Sequence, residues 1–143
     1  MRIQDVLNAK PSHEVVTVTP DATVRDLVGL LAQHNVGALI VSTDGAAVEG
    51  IVSERDIVRR LHGEAGVLDR PVGEIMTTSV YTCEGEQSVT DLMQLMTEHR
   101  IRHVPVVSDG ALTGVISIGD LVKHRIGELE FERDQLDSYV HQT

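Results

Sequence analysis

Two kinds of stretch alternate along the chain. Short apolar runs read as strands, and between them apolar residues recur every three or four positions, as on a helix face. Ile3 to Ala9 is a helical lead-in and Lys10 to Glu14 a polar loop. Val15-Val16-Thr17-Val18 reads as a strand. Thr23-Val24-Arg25-Asp26 has the form of a capping box, and it opens a helix with Val24, Leu27, Val28, Leu30 and Leu31 on one face. Val36 to Ser42 is a buried strand, Asp44-Gly45 a turn, Glu49 to Val52 the returning strand, and Ser53 to Leu61 a second helix.

The pattern then repeats. From Val16 to Gly45 a second copy follows at a constant offset of 65, with Thr17 matching Thr82, Asp26-Leu27 matching Asp91-Leu92, His34 matching His99 and Asp44-Gly45 matching Asp109-Gly110. Beyond the hairpin the offset is 64, because Ala46 to Glu49 is one residue longer than Ala111 to Thr113. The second copy therefore predicts a helical lead-in over Val72 to Met76, a strand at Tyr81-Thr82-Cys83 and a capping box at Ser88-Val89-Thr90-Asp91. The apolar face of its helix is Leu92, Leu95 and Met96, with strands at Val104 to Val107 and Leu112 to Ser117 and a last helix from Asp120. Pro105 cannot donate to a ladder, so its strand belongs at an edge or against a ligand. His62 to Asp69, with two glycines and then Arg70-Pro71, links the copies. Past the repeat, Val122, Ile126, Leu129, Leu136 and Val140 fall at spacings of four and three, with Arg133 in the one gap. Such a short heptad suits either a partner helix or packing on the chain's own domain.

A chain of 143 residues built this way has halves of about 60 residues, each too small to bury a sufficient core alone, so the halves should pack together. With no Trp and one Phe, aliphatic side chains must build the core. A net charge of −10 argues against a general nucleic-acid binder. Seven of the twelve Lys and Arg (Arg55, Arg59, Arg60, Arg100, Arg102, Lys123, Arg125) nevertheless cluster beside two short motifs, an arrangement suited to holding a small anion. Cys83 has no partner for a disulfide, which fits a reducing compartment. The N-terminus lacks an apolar leader core, and no apolar run reaches the length of a membrane span, so a soluble cytoplasmic protein is expected.

The two motifs are Gly50-Ile51-Val52-Ser53-Glu54-Arg55-Asp56 and Gly114-Val115-Ile116-Ser117-Ile118-Gly119-Asp120. Each delivers a hydroxyl and a carboxylate to a helix start. Ser-x-x-Asp there can do no more than cap the helix, yet a helix N-terminus also attracts anions and a carboxylate suits a ribose diol. Together with Arg102-His103-Val104-Pro105-Val106 and Ile75-Met76-Thr77, these stretches resemble the cystathionine-β-synthase (CBS) domain family over nearly the whole chain, in particular stand-alone bacterial pairs.

The resemblance implies an α+β fold. Two CBS domains, each strand-helix-strand-strand-helix, would pack with pseudo-twofold symmetry and carry a C-terminal helical extension, with boundaries at 1–66, 67–126 and 127–143. It implies clefts that bind an adenine nucleotide, with AMP, ADP, ATP or NAD(H) as candidates. Asp120 and Asp56 would hold ribose, with Ser117 and Ser53 near ribose and phosphate. Arg102 and His103 would face phosphate and Thr77 and Tyr81 adenine, with Pro105 and Arg55 beside them. Gly37 and Ala38 stand where Arg102 and His103 stand in the other half, so the clefts should be unequal.

His99 and His103 are four apart, but no Cys or carboxylate completes a metal set. No phosphate loop or nucleophile elbow is present, and Cys83 matches Val18 as strand core. The expected function is a non-catalytic regulatory module that senses a nucleotide, forms a homodimer and acts on a protein partner in trans. The alternatives are a structural dimerisation protein and, further off, a nucleotide-processing enzyme.

Overall fold

The computed structural model describes residues 1–141, so Gln142 and Thr143 of the expected helical tail lie outside the described residues. In the first half, α1 (Ile3–Asn8) precedes β1 (Thr17–Val18), α2 (Val24–His34), β2 (Ala38–Val41), β3 (Gly50–Ser53) and α3 (Glu54–Leu61). In the second, α4 (Val89–His99), β4 (His103–Ser108), β5 (Ala111–Ser117) and α5 (Ile118–His141) follow two 3₁₀ turns at Val67–Asp69 and Val72–Glu74. The expected α+β tandem is present. β1 and β2 are shorter than the runs expected for them, β3 is shifted by one residue, and the last helix starts at Ile118, two residues before Asp120.

Thr23 caps α2 as expected, since its hydroxyl accepts from the Asp26 N–H and its own N–H donates to the Asp26 carboxylate. In α4 the Asp91 N–H likewise donates to Ser88. The first half forms a three-stranded sheet in which β2 runs parallel to β1 and antiparallel to β3. In the second half only β4 and β5 pair, antiparallel, with His103 opposite Ser117 and Pro105 opposite Val115.

The strand expected at Tyr81-Thr82-Cys83 shrinks to one bridge, Cys83 against Val106, in which Cys83 donates to the Pro105 carbonyl and accepts from the Val107 N–H. Extending that parallel ladder toward Tyr81 requires an N–H from residue 105, and proline has none. At the matching position of the first half, Ile40 does carry one, and there Thr17 and Ile40 pair.

The halves are joined by an exchange of lead-ins. Ile3, Val6 and Leu7 of α1 pack into the second-half core with Cys83, Val89, Leu92, Met96, Val104, Val106, Ile116 and Leu121. Val67, Val72 and Ile75, which lead into the second half, pack into the first-half core with Val24, Leu27, Val41 and Val52. The backbone repeats the exchange bond for bond. Ile3 N–H donates to Gln87 and Val72 N–H to Ala22, Gln4 to Gly85 and Gly73 to Pro20, and Val89 to Met1 and Val24 to Arg70. These pairs relate the lead-ins by an offset of 69, against 65 for the helices they contact, so the first lead-in is four residues longer. Burying aliphatic side chains of this size is worth about 1.5–3 kcal/mol each.

The exchange also accounts for the first residue of each Gly-x-x-Ser motif. A Cβ on Gly114 would lie 2.9 Å from Leu7 Cδ2, and one on Gly50 would lie 2.6 Å from Met76 Sδ and 2.9 Å from the Thr77 carbonyl oxygen. Each glycine is the floor on which the other half's lead-in rests. Beyond the cores, α5 runs out with Val122, Ile126, Leu129 and Leu136 between 43% and 65% exposed. No helix among the described residues is long and apolar enough to cross a membrane.

Overpacking of this kind costs about 1–3 kcal/mol. Gly50→Ala should lie toward the upper end, because it presses on backbone, and Gly114→Ala toward the lower end, because the tip of Leu7 can turn aside. Urea unfolding of the two variants checks the order, and equal or reversed losses would contradict this account of the glycines.

Candidate ligand-binding cleft

Both Ser-x-x-Asp motifs cap their helices. Ser117 N–H donates to Asp120 Oδ2 at 3.0 Å and Asp120 N–H to Ser117 Oγ at 3.1 Å. Ser53 N–H donates to Asp56 Oδ2 at 2.9 Å, the Ser53 hydroxyl to the same oxygen at 3.0 Å, and Asp56 N–H to Ser53 Oγ at 3.2 Å. The strand starts lie beside these caps. The Gly37 carbonyl accepts from Glu54 N–H and the Arg102 carbonyl from Ile118 N–H, which ties each β2-type strand to the helix start of its own half.

A cleft of about 600 Å³ opens between the halves. On one side it is lined by His34 through Ile40, on the other by His103, Ser117, Asp120 and Lys123, and along the rim by Lys10 through Val16. Of the residues singled out in the sequence it gathers Asp120, Ser117, His103, Gly37 and Ala38. Gly37 has no side chain to fill the space, and a Cβ there would approach Glu54 Oε1 at 3.4 Å and His103 Cε1 at 3.8 Å.

Ser53, Asp56, Arg55, Arg102, Pro105, Thr77 and Tyr81 lie outside that lining. Pro105 is buried within β4 between the Cys83 bridge and β5. Thr77 exchanges two backbone hydrogen bonds with Ile51, both 2.9 Å. Arg102 and Arg55 are exposed. Tyr81 stacks on His99 with ring centroids 4.4 Å apart, and its hydroxyl lies 3.2 Å from His99 Nδ1. This engages His99 with Tyr81 rather than with His103.

Lys10 is the residue that sequence reasoning missed. Its ammonium lies 3.1 Å from Asp120 Oδ2 and donates to the Val115 carbonyl at 3.0 Å. It sits in a polar loop outside the repeat, so no periodicity marked it. Burial pushes the Asp120 carboxyl up, but the hydrogen bonds from Ser117 and Lys10 and the Lys10 charge outweigh this and leave it below the ordinary value of 3.8. Burial pushes His103 below the ordinary 6.5, opposed by the charge of Asp120 and assisted by Lys10 and Arg102. Cys83 is buried, and its thiol is pushed up to about 11, so it is no thiolate at neutral pH.

The family model of the CBS domain matches residues 3–63 and 72–127, and the chain belongs to that family. It is 41% identical to the mitochondrial CBS domain-containing protein CBSX3 of Arabidopsis thaliana, over 96% of this chain and 71% of that one. The solved structure of a protein with CBS domains from Burkholderia ambifaria is 44% identical and superposes with a TM-score of 0.83, over 89% of this chain and 95% of that one. The CBS domain pair of protein MJ0100, solved with 5′-methylthioadenosine and S-adenosyl-L-methionine, shares the fold at a TM-score of 0.78 and 24% identity, over 90% of this chain and 98% of that one.

His103 should titrate below 6.5, so as pH falls through 6.5 the unfolded chain takes up the proton first and this residue's contribution to stability is lost. Asp120→Asn removes the carboxylate that holds the proton on His103 and should lower its midpoint further, whereas Lys10→Met should raise it. A histidine NMR titration of the three proteins checks both directions.

Proposed function

We propose that this chain is a regulatory module without catalysis of its own, binding an adenine nucleotide (AMP, ADP, ATP or NAD(H)) between its halves and acting on a protein partner in trans. The observation that carries the reading is the cleft itself. It is roomy, floored by Gly37 and Ala38, and ends at a helix start where Ser117 and Asp120 stand beside His103 and Lys123. A carboxylate has about four acceptor sites, so the two bonds into Oδ2 leave Asp120 capacity for ribose hydroxyls. The adenosine compounds bound to the MJ0100 pair support the adenosine part of the ligand.

The pseudo-symmetric cleft would use Ser53, Asp56 and Arg55, with Arg102 toward phosphate, Thr77 and Tyr81 toward adenine, and Pro105 behind. The two clefts are unequal in this reading, since Lys10 bonds Val115 with a side chain where Thr77 bonds the matching Ile51 with backbone. The single Cys83 fits a reducing compartment such as the cytoplasm.

Asp120→Asn should reduce nucleotide affinity about ten- to a hundredfold, corresponding to the ~1.5–3 kcal/mol of hydrogen bonds to a charged group. The melting temperature of the unliganded protein should move little, because Asn keeps an acceptor for the Ser117 N–H, Lys10 keeps its bond to the Val115 carbonyl, and a partly exposed ion pair is worth about 1 kcal/mol. Calorimetric titration with a nucleotide panel and a thermal scan check the two halves of this statement. Intact affinity with a destabilised fold would make the carboxylate a cap and nothing more.

A second reading, of a dimerisation protein with no physiological nucleotide, is favoured by the exposed Val122, Ile126, Leu129 and Leu136 on α5. The two are compatible in one respect, since we take the chain to be a homodimer in either. Truncation after Ile126 should weaken self-association if α5 is a dimer contact, and light scattering of the two lengths at micromolar concentration decides it.

A further inference from the structure

Lys10 does with a side chain what backbone does in the other half. Ile51 exchanges backbone hydrogen bonds with Thr77, whereas its counterpart Val115 receives the Lys10 ammonium. That ammonium also sits on Asp120 Oδ2, and the pair is only partly covered, with side-chain exposures of 31% for Lys10 and 24% for Asp120. Both residues line the cleft. Lys10 therefore holds Oδ2 of a carboxylate whose two oxygens a ribose diol would engage together, and it does so on a flexible stem with rotatable donors. Its neighbours on the lining are Lys123, His13, His34 and His103, and Glu14 is the one carboxylate there besides Asp120.

We propose that Lys10 recognises the anionic group of the ligand, exchanging Asp120 for the ligand's phosphate when the ribose hydroxyls take the carboxylate. The step is an exchange of ion-pair and hydrogen-bond partners, with no covalent change. It leaves both charged groups hydrogen-bonded, because Lys10 loses a carboxylate and gains a phosphate while Asp120 loses an ammonium and gains two hydroxyl donors. A neutral nucleoside satisfies Asp120 but leaves Lys10 without an anion, so the cleft selects a phosphorylated nucleoside over the bare one. The inference rests on the nucleotide reading above and adds to it the residue that distinguishes the ligand class.

The test compares AMP with adenosine, by calorimetry, on the intact chain and on Lys10→Met, Lys10→Arg and Asp120→Asn. Lys10→Met should lower AMP affinity about ten- to a hundredfold, the range for a charge-assisted hydrogen bond. Adenosine affinity should hold or rise, because Asp120 has been released. Lys10→Arg should restore most of the AMP affinity, and loss of AMP binding in Asp120→Asn assigns the effect to this cleft. Unchanged AMP affinity in Lys10→Met, or AMP and adenosine affinities falling by the same factor, would overturn the proposal while the nucleotide reading stands. An intact chain that binds neither compound would remove both.

Discussion

The fold depends on a reciprocal seal. Each half has a sheet face and a helix face but lacks the last apolar wall of its core, and the other half's lead-in supplies it. Leu7 lies on Gly114 and Met76 lies close against Gly50. Neither half completes a core unaided, as the size of each had required. A lead-in of a few residues could not hold a helical shape by itself. Its backbone is instead pinned at Ile3, Gln4, Val72 and Gly73 by carbonyls of the partner half. Helix α1 is therefore an effect of docking.

That seal also makes the cleft. The loop after α1 must travel back from the second-half core to β1 in the first, and on the way it crosses the mouth between the halves and sets Lys10 on Asp120. The first lead-in is four residues longer than the second, so the shorter return from Thr77 to Cys83 has no counterpart of Lys10. The same Asp120 thus caps α5 and pairs with a cation, and under the proposed function it also accepts from a ligand. A carboxylate held below its ordinary pKa stays ionised for all three demands at neutral pH.

Much of this was legible in the residues. The constant offset exposed the tandem, the capping sequences located α2 and α4, with the box closed at Thr23–Asp26 and only its Ser88 half formed at α4, and Ser117 and Asp120 fell together in one cleft with His103, Gly37 and Ala38. What escaped notice is long-range. That the lead-ins trade places is a matter of contacts between residues some 25–110 positions apart, for which periodicity has no sign. The two motif glycines were the available clue, since a glycine that needs no positive φ is there for lack of a Cβ. Pro105 was recognised as unable to donate, but the loss falls on the neighbouring segment, where it ends the Cys83 pairing after one bridge.

The traded lead-ins also bear on assembly. The contacts that seat α1 specify a groove and a set of carbonyls, and they do not specify whose α1 arrives. A second copy of the chain presents the same Ile3, Val6 and Leu7 and the same groove, so a domain-swapped pair would satisfy every one of these contacts without a new interface. Only the reach of the loop from Ala9 to Val16 favours the chain's own groove. Its length therefore acts as a tether whose effective concentration decides between a self-sealed monomer unit and an interlocked one.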